Sequence, residues 1–441
     1  MSGLVSGGLA GVRSFGSSLS LNMVSHAKTL IRSLHSDVIA GLTVAIVALP
    51  LALGFGVTSG AGAAAGLITA IVAGVVAGVF GGSRFQVSGP TGAMVVVLAP
   101  ILATLGIASL LPLGLIAGVF LLAFAALRVG RYIEKVPWPV MEGFTLGIAV
   151  VIALQQIPLI FNVEKAEGSE VLLVAVRTTV QAFSQPLEWW SLAVVVATLA
   201  IKIVWSGVRT RWRFARPLPA SAIATIVVSV GVALAHLPVA TIGELPLASA
   251  LSFNLEWAGL AWAPLIWAGL IVAVLAAVES LLSARVGDAM VHRRDGDIVS
   301  AYSPNRELFG QGMATLASAI AGGMPATGAI ARTGVNVNAG ARTRMAAVMH
   351  SVALLLFVTL LPTVIGQIPL AVLAGVLLGT SWRIANPGSI RESLHTVWPD
   401  RLSYVVTALG VVVLDLIWGI VLGLIVHALA TFVESHRAAR H

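Results

Sequence analysis

Long apolar runs alternate with short polar breaks from residue 37 to residue 434. A helix needs about 20 apolar residues to cross a bilayer. Runs of this kind fall at roughly 37–58, 61–80, 109–130, 139–160, 187–207, 218–236, 261–286, 306–323, 343–363, 366–381, 399–415 and 416–434. Two more segments, roughly 90–105 and 328–341, are too short to cross alone and are expected to begin near the membrane midplane after short extended lead-ins. The pattern predicts an all-α polytopic membrane protein of fourteen segments in two sets of seven. The boundaries are a tail (1–36), a first repeat (37–236), an extracytoplasmic connector (237–260), a second repeat (261–434) and a second tail (435–441). The first tail lacks a signal peptide's order of basic start, apolar run and cleavage site, and an interfacial helix is expected near Leu21 to Leu34. Val171 to Phe183 is too short and polar to span, and reads as an amphipathic helix on the outer surface.

The basic residues orient this pattern. With the N-terminus in the cytoplasm, the inward loops carry Arg84, the cluster Arg128, Arg131 and Lys135, the cluster Arg209 to Arg216, and then Arg285, Arg293, Arg294, Arg306, Arg342, Arg344, Arg383, Arg391, Arg401 and Arg437. The outward loops carry Lys165 and Arg177 beside Glu164, Glu167, Glu170, Glu188, Glu244 and Glu256. Lysine and arginine accumulate on the cytoplasmic side of membrane proteins, so both termini are expected there. An odd number of spans per set then makes the two repeats inverted.

Composition fits the same class. Of 441 residues, 58% are hydrophobic and 10% are charged, against about 25% charged in soluble domains. The 45 glycines suit close helix contact in lipid. A net charge of +8 is compatible with nucleic acid, but the basic residues sit in short loops between apolar runs. The expected partner is therefore a lipid bilayer and not nucleic acid. Cysteine is absent, which excludes disulfides, thiolate metal sites and a cysteine nucleophile. No nucleophile–base pair or metal-ligand cluster stands out, so neither enzyme activity, a cofactor nor a metal is expected.

Candidate chemistry lies where helix rules break. Ala321 to Arg344 holds glycines, a proline, hydroxyls and Arg332 where a span is due. Thr91-Gly92-Ala93 matches Thr327-Gly328-Ala329 about half the chain away. Paired interruptions in two halves point to a transporter's binding site. In the inverted arrangement, half-helices starting at Pro90 and Thr327 face each other with their N-termini, and each terminus carries unpaired N–H groups and about half a positive charge. That makes an anion site, with glycines allowing close approach, threonine hydroxyls as caps or donors, and Arg332 adding a forked donor. Glu279 lies deep in the eighth span, with Ser283 one turn on along the same helix face. A carboxylate there carries a proton when neutral or binds a cation when ionised, and Arg332 is its expected charge partner. Asn336 and Asn338 read as interhelical hydrogen bonders, and His350 as a hydrogen-bonded core residue.

These residues resemble the SulP anion-permease family, which includes bacterial sulfate permeases and animal anion exchangers such as prestin. Asp37 to Ala45 with Leu49-Pro50 resembles the family's first span, and Gly81 to Gly92 the entry to its third. Gly143 to Gly147, Asn305 to Gly312, and Pro325 to Thr333 followed by Gly340-Ala-Arg-Thr343 resemble the fifth, ninth and tenth. The resemblance implies core helices 1–4 and 8–11 moving against gate helices 5–7 and 12–14, an anion between half-helices 3 and 10, and a homodimer. It matches Arg332 to the tenth-span arginine and Glu279 to an eighth-span carboxylate of bacterial carriers. Leu51 stands where many members have glutamine, and the family's anti-sigma-factor-antagonist-like C-terminal domain is not expected in this chain.

The resulting expectation is a secondary active transporter of a small inorganic or carboxylate anion (sulfate, bicarbonate or a dicarboxylate) in the bacterial inner membrane. Substrate contacts fall to Thr91, Gly92, Ala93, Thr327, Gly328, Ala329 and Arg332, and cation coupling to Glu279 and Ser283. Proton symport ranks first, sodium symport or anion exchange next. A nucleobase–cation symporter is the fold rival and a passive anion channel the rival of another class.

Overall fold

The computed structural model describes residues 33–438, apart from 134, 169, 186–187, 213–217, 246–259 and 296–301. The helix expected near Leu21 and most of the connector lie outside the described residues. Helices stand at all fourteen expected positions. The first seven are α1 (Ser33–Ser59), α2 (Ala63–Phe80), α3 (Gly92–Leu105), α4 (Leu110–Ala126), α5 (Trp138–Leu154), α6 (Trp189–Arg211) and α7 (Ala220–Leu234). The second seven are α8 (Trp262–Asp295), α9 (Pro304–Ile320), α10 (Ile330–Asn338), α11 (Met345–Leu360), α12 (Leu370–Ala385), α13 (Trp398–Val413) and α14 (Leu416–Ala438). Proline at the first turn of α5, α9 and α13 supplies no N–H where none is needed. The helix Val171–Phe183 turns Val174, Ala175, Thr178 and Ala182 inward and leaves Leu173, Val176, Val180 and Phe183 exposed, so its larger apolar side chains face away from the rest of the protein.

The helices pack as two groups. In one, α9 lies on α2 and α4, α8 on α3, α4 and α10, and α11 on α2. In the other, α5 lies on α12, α13 and α14, and α12 also on α6 and α7. Small residues set these distances, as expected where lipid removes the hydrophobic drive between helices. A Cβ on Gly114 would sit 2.6 Å from the Ala319 Cβ between α4 and α9, and one on Gly143 2.4 Å from the Tyr404 carbonyl oxygen between α5 and α13. The groups meet where α3 packs on α5 and where Gly54 of α1 faces Leu377 of α12.

Two short strands cross the middle of the first group. β1 (Ser88–Gly89) pairs antiparallel with β2 (Thr327–Gly328), Ser88 opposite Gly328 and Gly89 opposite Thr327. This pairing satisfies backbone groups that a broken helix leaves exposed at membrane depth. Because the strands are antiparallel, the chain leaves them in opposite directions, into α3 and into α10.

Two buried carboxylates hold the ends of these crossings. At the start of α9, Glu307 Oε2 accepts from the Gly82 and Ser83 N–H groups at 2.8 and 2.9 Å, and its Oε1 accepts from Gln86 and Gln311 side-chain amides at 2.9 Å each. At the start of α1, Asp37 accepts from the Arg342 and Thr343 N–H groups at 2.7 and 3.0 Å and from the Thr343 hydroxyl at 2.5 Å. Each acid thus anchors the loop next to one half-helix.

Candidate functional site

The residues from both sequence interruptions converge on one cavity of about 380 Å³ between the two helix groups. Thr91, Gly92 and Ala93 line it from α3, Ala329 and Arg332 from α10, and Glu279 from α8. Phe144, Ile148 and Ile152 of α5 and Thr380 and Arg383 of α12 close the other side. Leu51 and Phe55 complete an apolar wall from α1, so Leu51 faces the cavity.

Thr91 caps α3, its hydroxyl accepting from the Met94 N–H at 3.4 Å. The first-turn N–H groups of α3 have no intrahelical carbonyl to bind, and Gly92 and Ala93 carry them at the cavity wall. The second half-helix differs from expectation. It begins at Ile330 rather than Thr327, because Thr327 and Gly328 are spent in the strand pair. The Gly328 N–H donates to Ser280 Oγ at 3.0 Å and the Ala329 N–H to the Val87 carbonyl at 3.0 Å. Those two donors are therefore occupied, and the open first turn of α10 belongs to Ile330 and its successors.

Glu279 is also held differently from expectation. It makes no direct ion pair with Arg332, although the two charges act on each other across the site. Its Oε2 accepts from the Thr91 and Thr327 hydroxyls, each at 2.8 Å, and those hydroxyls lie 3.0 Å apart. The matching threonines of the two interruptions thus meet on one carboxylate oxygen. Arg332, 2% exposed, donates from Nη2 to the Pro90 carbonyl at 2.5 Å, tying α10 to the lead-in of α3. Its Nη1 has no protein partner. Gly89 makes room for it: φ there is +151°, and a Cβ would lie 2.4 Å from Nη1. Ser283 does not reach Glu279 but sits 3.1 Å from the Thr333 hydroxyl, which also accepts from the Val87 N–H. Ser280, one residue after Glu279, is the serine that touches the strand pair.

Asn336 donates to the Phe85 carbonyl at 2.8 Å, a bond from α10 to the extended lead-in of α3 rather than the interhelical bond expected of it, while Asn338 lines the cavity. His350 is fully buried as expected, but neither ring nitrogen has the protein hydrogen-bond partner expected of it. The Glu307–Gln86–Gln311 cluster behind β1 is missing from the residue-by-residue sequence reading. Its signal was a carboxylate and an amide four residues apart in an apolar segment, with Gln311 also donating to Ser88 Oγ at 2.6 Å.

Residues 34–408 match the sulfate permease family. The chain belongs to that family. This permease-family chain is 33% identical over 408 residues to the candidate sulfate transporter YvdB of Bacillus subtilis, across 90% of this chain and 73% of that one. It is 29% identical over 410 residues to the bicarbonate transporter BicA of Picosynechococcus, across 90% and 69% of the two chains. The solved transmembrane domain of a cyanobacterial BicA superposes with a TM-score of 0.77 at 25% identity, covering 90% of this chain and 98% of that one. SLC26A9 shares the fold, with a TM-score of 0.76 at 14% identity over 92% of this chain and 66% of that one. The family consists of transporters rather than enzymes, and its helices make the chain an integral membrane protein. Relatives that carry sulfate or bicarbonate support anion transport here.

Proposed function

We propose that this protein is a secondary active transporter that moves a small anion (sulfate, bicarbonate or a dicarboxylate) together with a proton by alternating access across a bacterial inner membrane. The observation that carries the reading is the meeting of Glu279, Thr91 and Thr327. Three oxygens lie within 2.8–3.0 Å of one another, and the two threonines bring only two hydroxyl protons. A third proton, on the carboxyl, gives every edge of that triangle a donor. The same proton cancels a negative charge beside the anion cavity, so Arg332 and the open first turns of α3 and α10 then face the cargo without opposition. When Glu279 is ionised, it competes with the anion for that positive charge. Proton and anion binding therefore favour each other.

Magnitudes suit a carrier. A partly buried helix terminus offers up to about 2 kcal/mol, and a charge-assisted hydrogen bond about 1.5–3. Desolvating the anion opposes these by several kcal/mol, leaving the modest affinity that release requires.

The test is uptake of labelled sulfate, bicarbonate and fumarate into proteoliposomes, with and without an inward proton gradient. Accumulation of one anion above equilibrium only with the gradient is expected, and Glu279→Gln is expected to abolish the gradient's effect while retaining anion binding. Accumulation driven by a sodium gradient alone would assign the three oxygens to sodium. Uptake that stops at equilibrium under every gradient would make the protein a channel or an exchanger.

A further inference from the structure

Arg332 and His350 leave three buried polar atoms without a protein partner: Nη1 of the guanidinium and both imidazole nitrogens. The two residues come to one face of α2. His350, from α11, rests against Gly74, where a Cβ would lie 3.6 Å from its Cδ2. Its neighbour Ser351 donates to the carbonyl of Ala70, one turn earlier on α2, at 3.4 Å. Arg332 Nη1 reaches that same turn past Gly89, whose Cβ would sit 2.4 Å from Nη1 and 3.2 Å from the Ala70 Cα. α1 closes the other side, where a Cβ on Gly41 would lie 2.7 Å from the His350 backbone nitrogen. Arg332 is the charged group that acts on His350. Val44, Val87 and Ala347 pack alongside as an apolar cluster whose side chains offer no acceptor. Nη1 is shielded from solvent, so water in the anion cavity does not satisfy it.

We propose that His350 is a positioning residue for Arg332, its neutral imidazole holding Nη1 through a buried water between α2, α10 and α11, an inference that rests on the anion role of Arg332. Buried polar groups are almost always hydrogen-bonded. Nη1 brings donors and no acceptor, whereas a neutral imidazole brings one of each. A water that accepts from Nη1 and donates to the acceptor nitrogen gives both groups a partner, as buried waters commonly do. Ser351 Oγ, at the same turn of α2, offers that water a third contact. An imidazolium has no acceptor and repels the guanidinium, so the link requires neutral His350. With Nη2 bound to the Pro90 carbonyl and Nη1 tied towards His350, the guanidinium plane is fixed at two points. Without the second tie it pivots about the Pro90 contact, and its charge shifts relative to the cargo.

The experiment compares His350→Leu, which removes the acceptor, with His350→Gln, which keeps one, each alone and combined with Arg332→Gln. Affinity is read by isothermal titration of the full chain with sulfate, bicarbonate and fumarate, and the melting temperature in detergent is read without anion. His350→Leu is expected to weaken anion binding about 3- to 10-fold, the effect of one hydrogen bond, and His350→Gln to recover most of that loss. In the Arg332→Gln background His350→Leu is expected to have no further effect on affinity. The melting-temperature changes of His350→Leu and Arg332→Gln are expected to be non-additive, as for two residues in one hydrogen-bonded network. His350→Phe replaces His350→Leu if the latter does not fold. Equal losses in His350→Leu and His350→Gln, or a His350→Leu effect that persists undiminished beside Arg332→Gln, make His350 a packing residue and overturn the proposal. Additive melting-temperature changes also overturn it, as does normal affinity in His350→Leu where Arg332→Gln does weaken binding. Normal affinity in Arg332→Gln with non-additive melting-temperature changes instead removes the anion role of Arg332 and leaves its link to His350 standing.

Discussion

Arg332 has two physical roles that separate by substitution. Its Nη2 braces the lead-in of α3 through the Pro90 carbonyl, and its charge faces the anion cavity. Arg332→Gln keeps a donor for the brace and removes the charge. We expect it, like Arg332→Ala, to weaken anion binding by about 10- to 100-fold, the equivalent of one charge-assisted hydrogen bond, with the chain still folded. Isothermal titration or a thermal-shift titration with the transported anion reads this. Normal affinity in both variants, with a lowered melting temperature, leaves the brace alone. Glu307 gives the opposite pattern. It faces no cargo, yet four donors converge on its two oxygens. Glu307→Ala leaves those donors buried without an acceptor, each at about 1–3 kcal/mol, so a loss of at least about 3 kcal/mol is expected. Glu307→Gln lies in between, because its amide nitrogen faces donors. Unfolding in detergent measures both, and a melting temperature within a degree of wild type for Glu307→Ala would discard the anchoring role.

The elements were legible in the sequence wherever one property decided them. Each apolar run became a helix, and the ends moved by a few residues, except that α8 continues to Asp295. The length and polarity of Val171 to Phe183 marked it as too short and polar to span, but not that its larger apolar side chains face outward. Legibility stopped where a partner far along the chain decides the outcome. Thr327 looked like the start of a helix, but pairing with Gly89 makes it a strand. Glu279 was assigned Arg332 as partner by charge, whereas its bonds go to two threonines that only the fold brings together. Ser283 was chosen by face and Ser280 passed over, because the sequence does not say where β2 crosses α8. One contact between elements tests the moving-body picture directly. A Cβ on Gly92 of α3 would lie 2.0 Å from Ile152 Cδ1 of α5. Gly92→Ala is expected to slow uptake several-fold by obstructing the approach of the two helix groups, and Gly92→Ala/Ile152→Ala is expected to restore it. Failure of the second substitution to restore uptake would place the defect in the backbone of the α3 first turn instead.

At the scale of the molecule, packing gathers loops that are distant in sequence and alike in charge. Arg306 donates to the Phe80 carbonyl and Arg344 to the Gly82 carbonyl, each at 3.4 Å, so basic residues from two segments meet on the turn after α2 at one end. Asp37 holds the Arg342–Thr343 loop at that same end through the start of α1. Glu164, Lys165 and Glu167, which follow α5, are separated from this end by the length of that helix. Lysine and arginine are retained on the cytoplasmic side during insertion, so the charge bias predicts the arginine-rich end in the cytoplasm and the glutamate-rich end outside. The chain contains no cysteine, which makes single introduced thiols clean reporters. Glu167→Cys and Arg391→Cys both place a thiol at an exposed position, the first after α5 and the second in the short helix Pro387–Leu394 after α12. In intact cells a membrane-impermeant maleimide is expected to label the thiol at 167 and to spare the one at 391 until the membrane is permeabilised. The reverse labelling would turn the molecule over in the membrane. It would place the arginine-rich end outside, at the leaflet opposite the one that the charge bias selects.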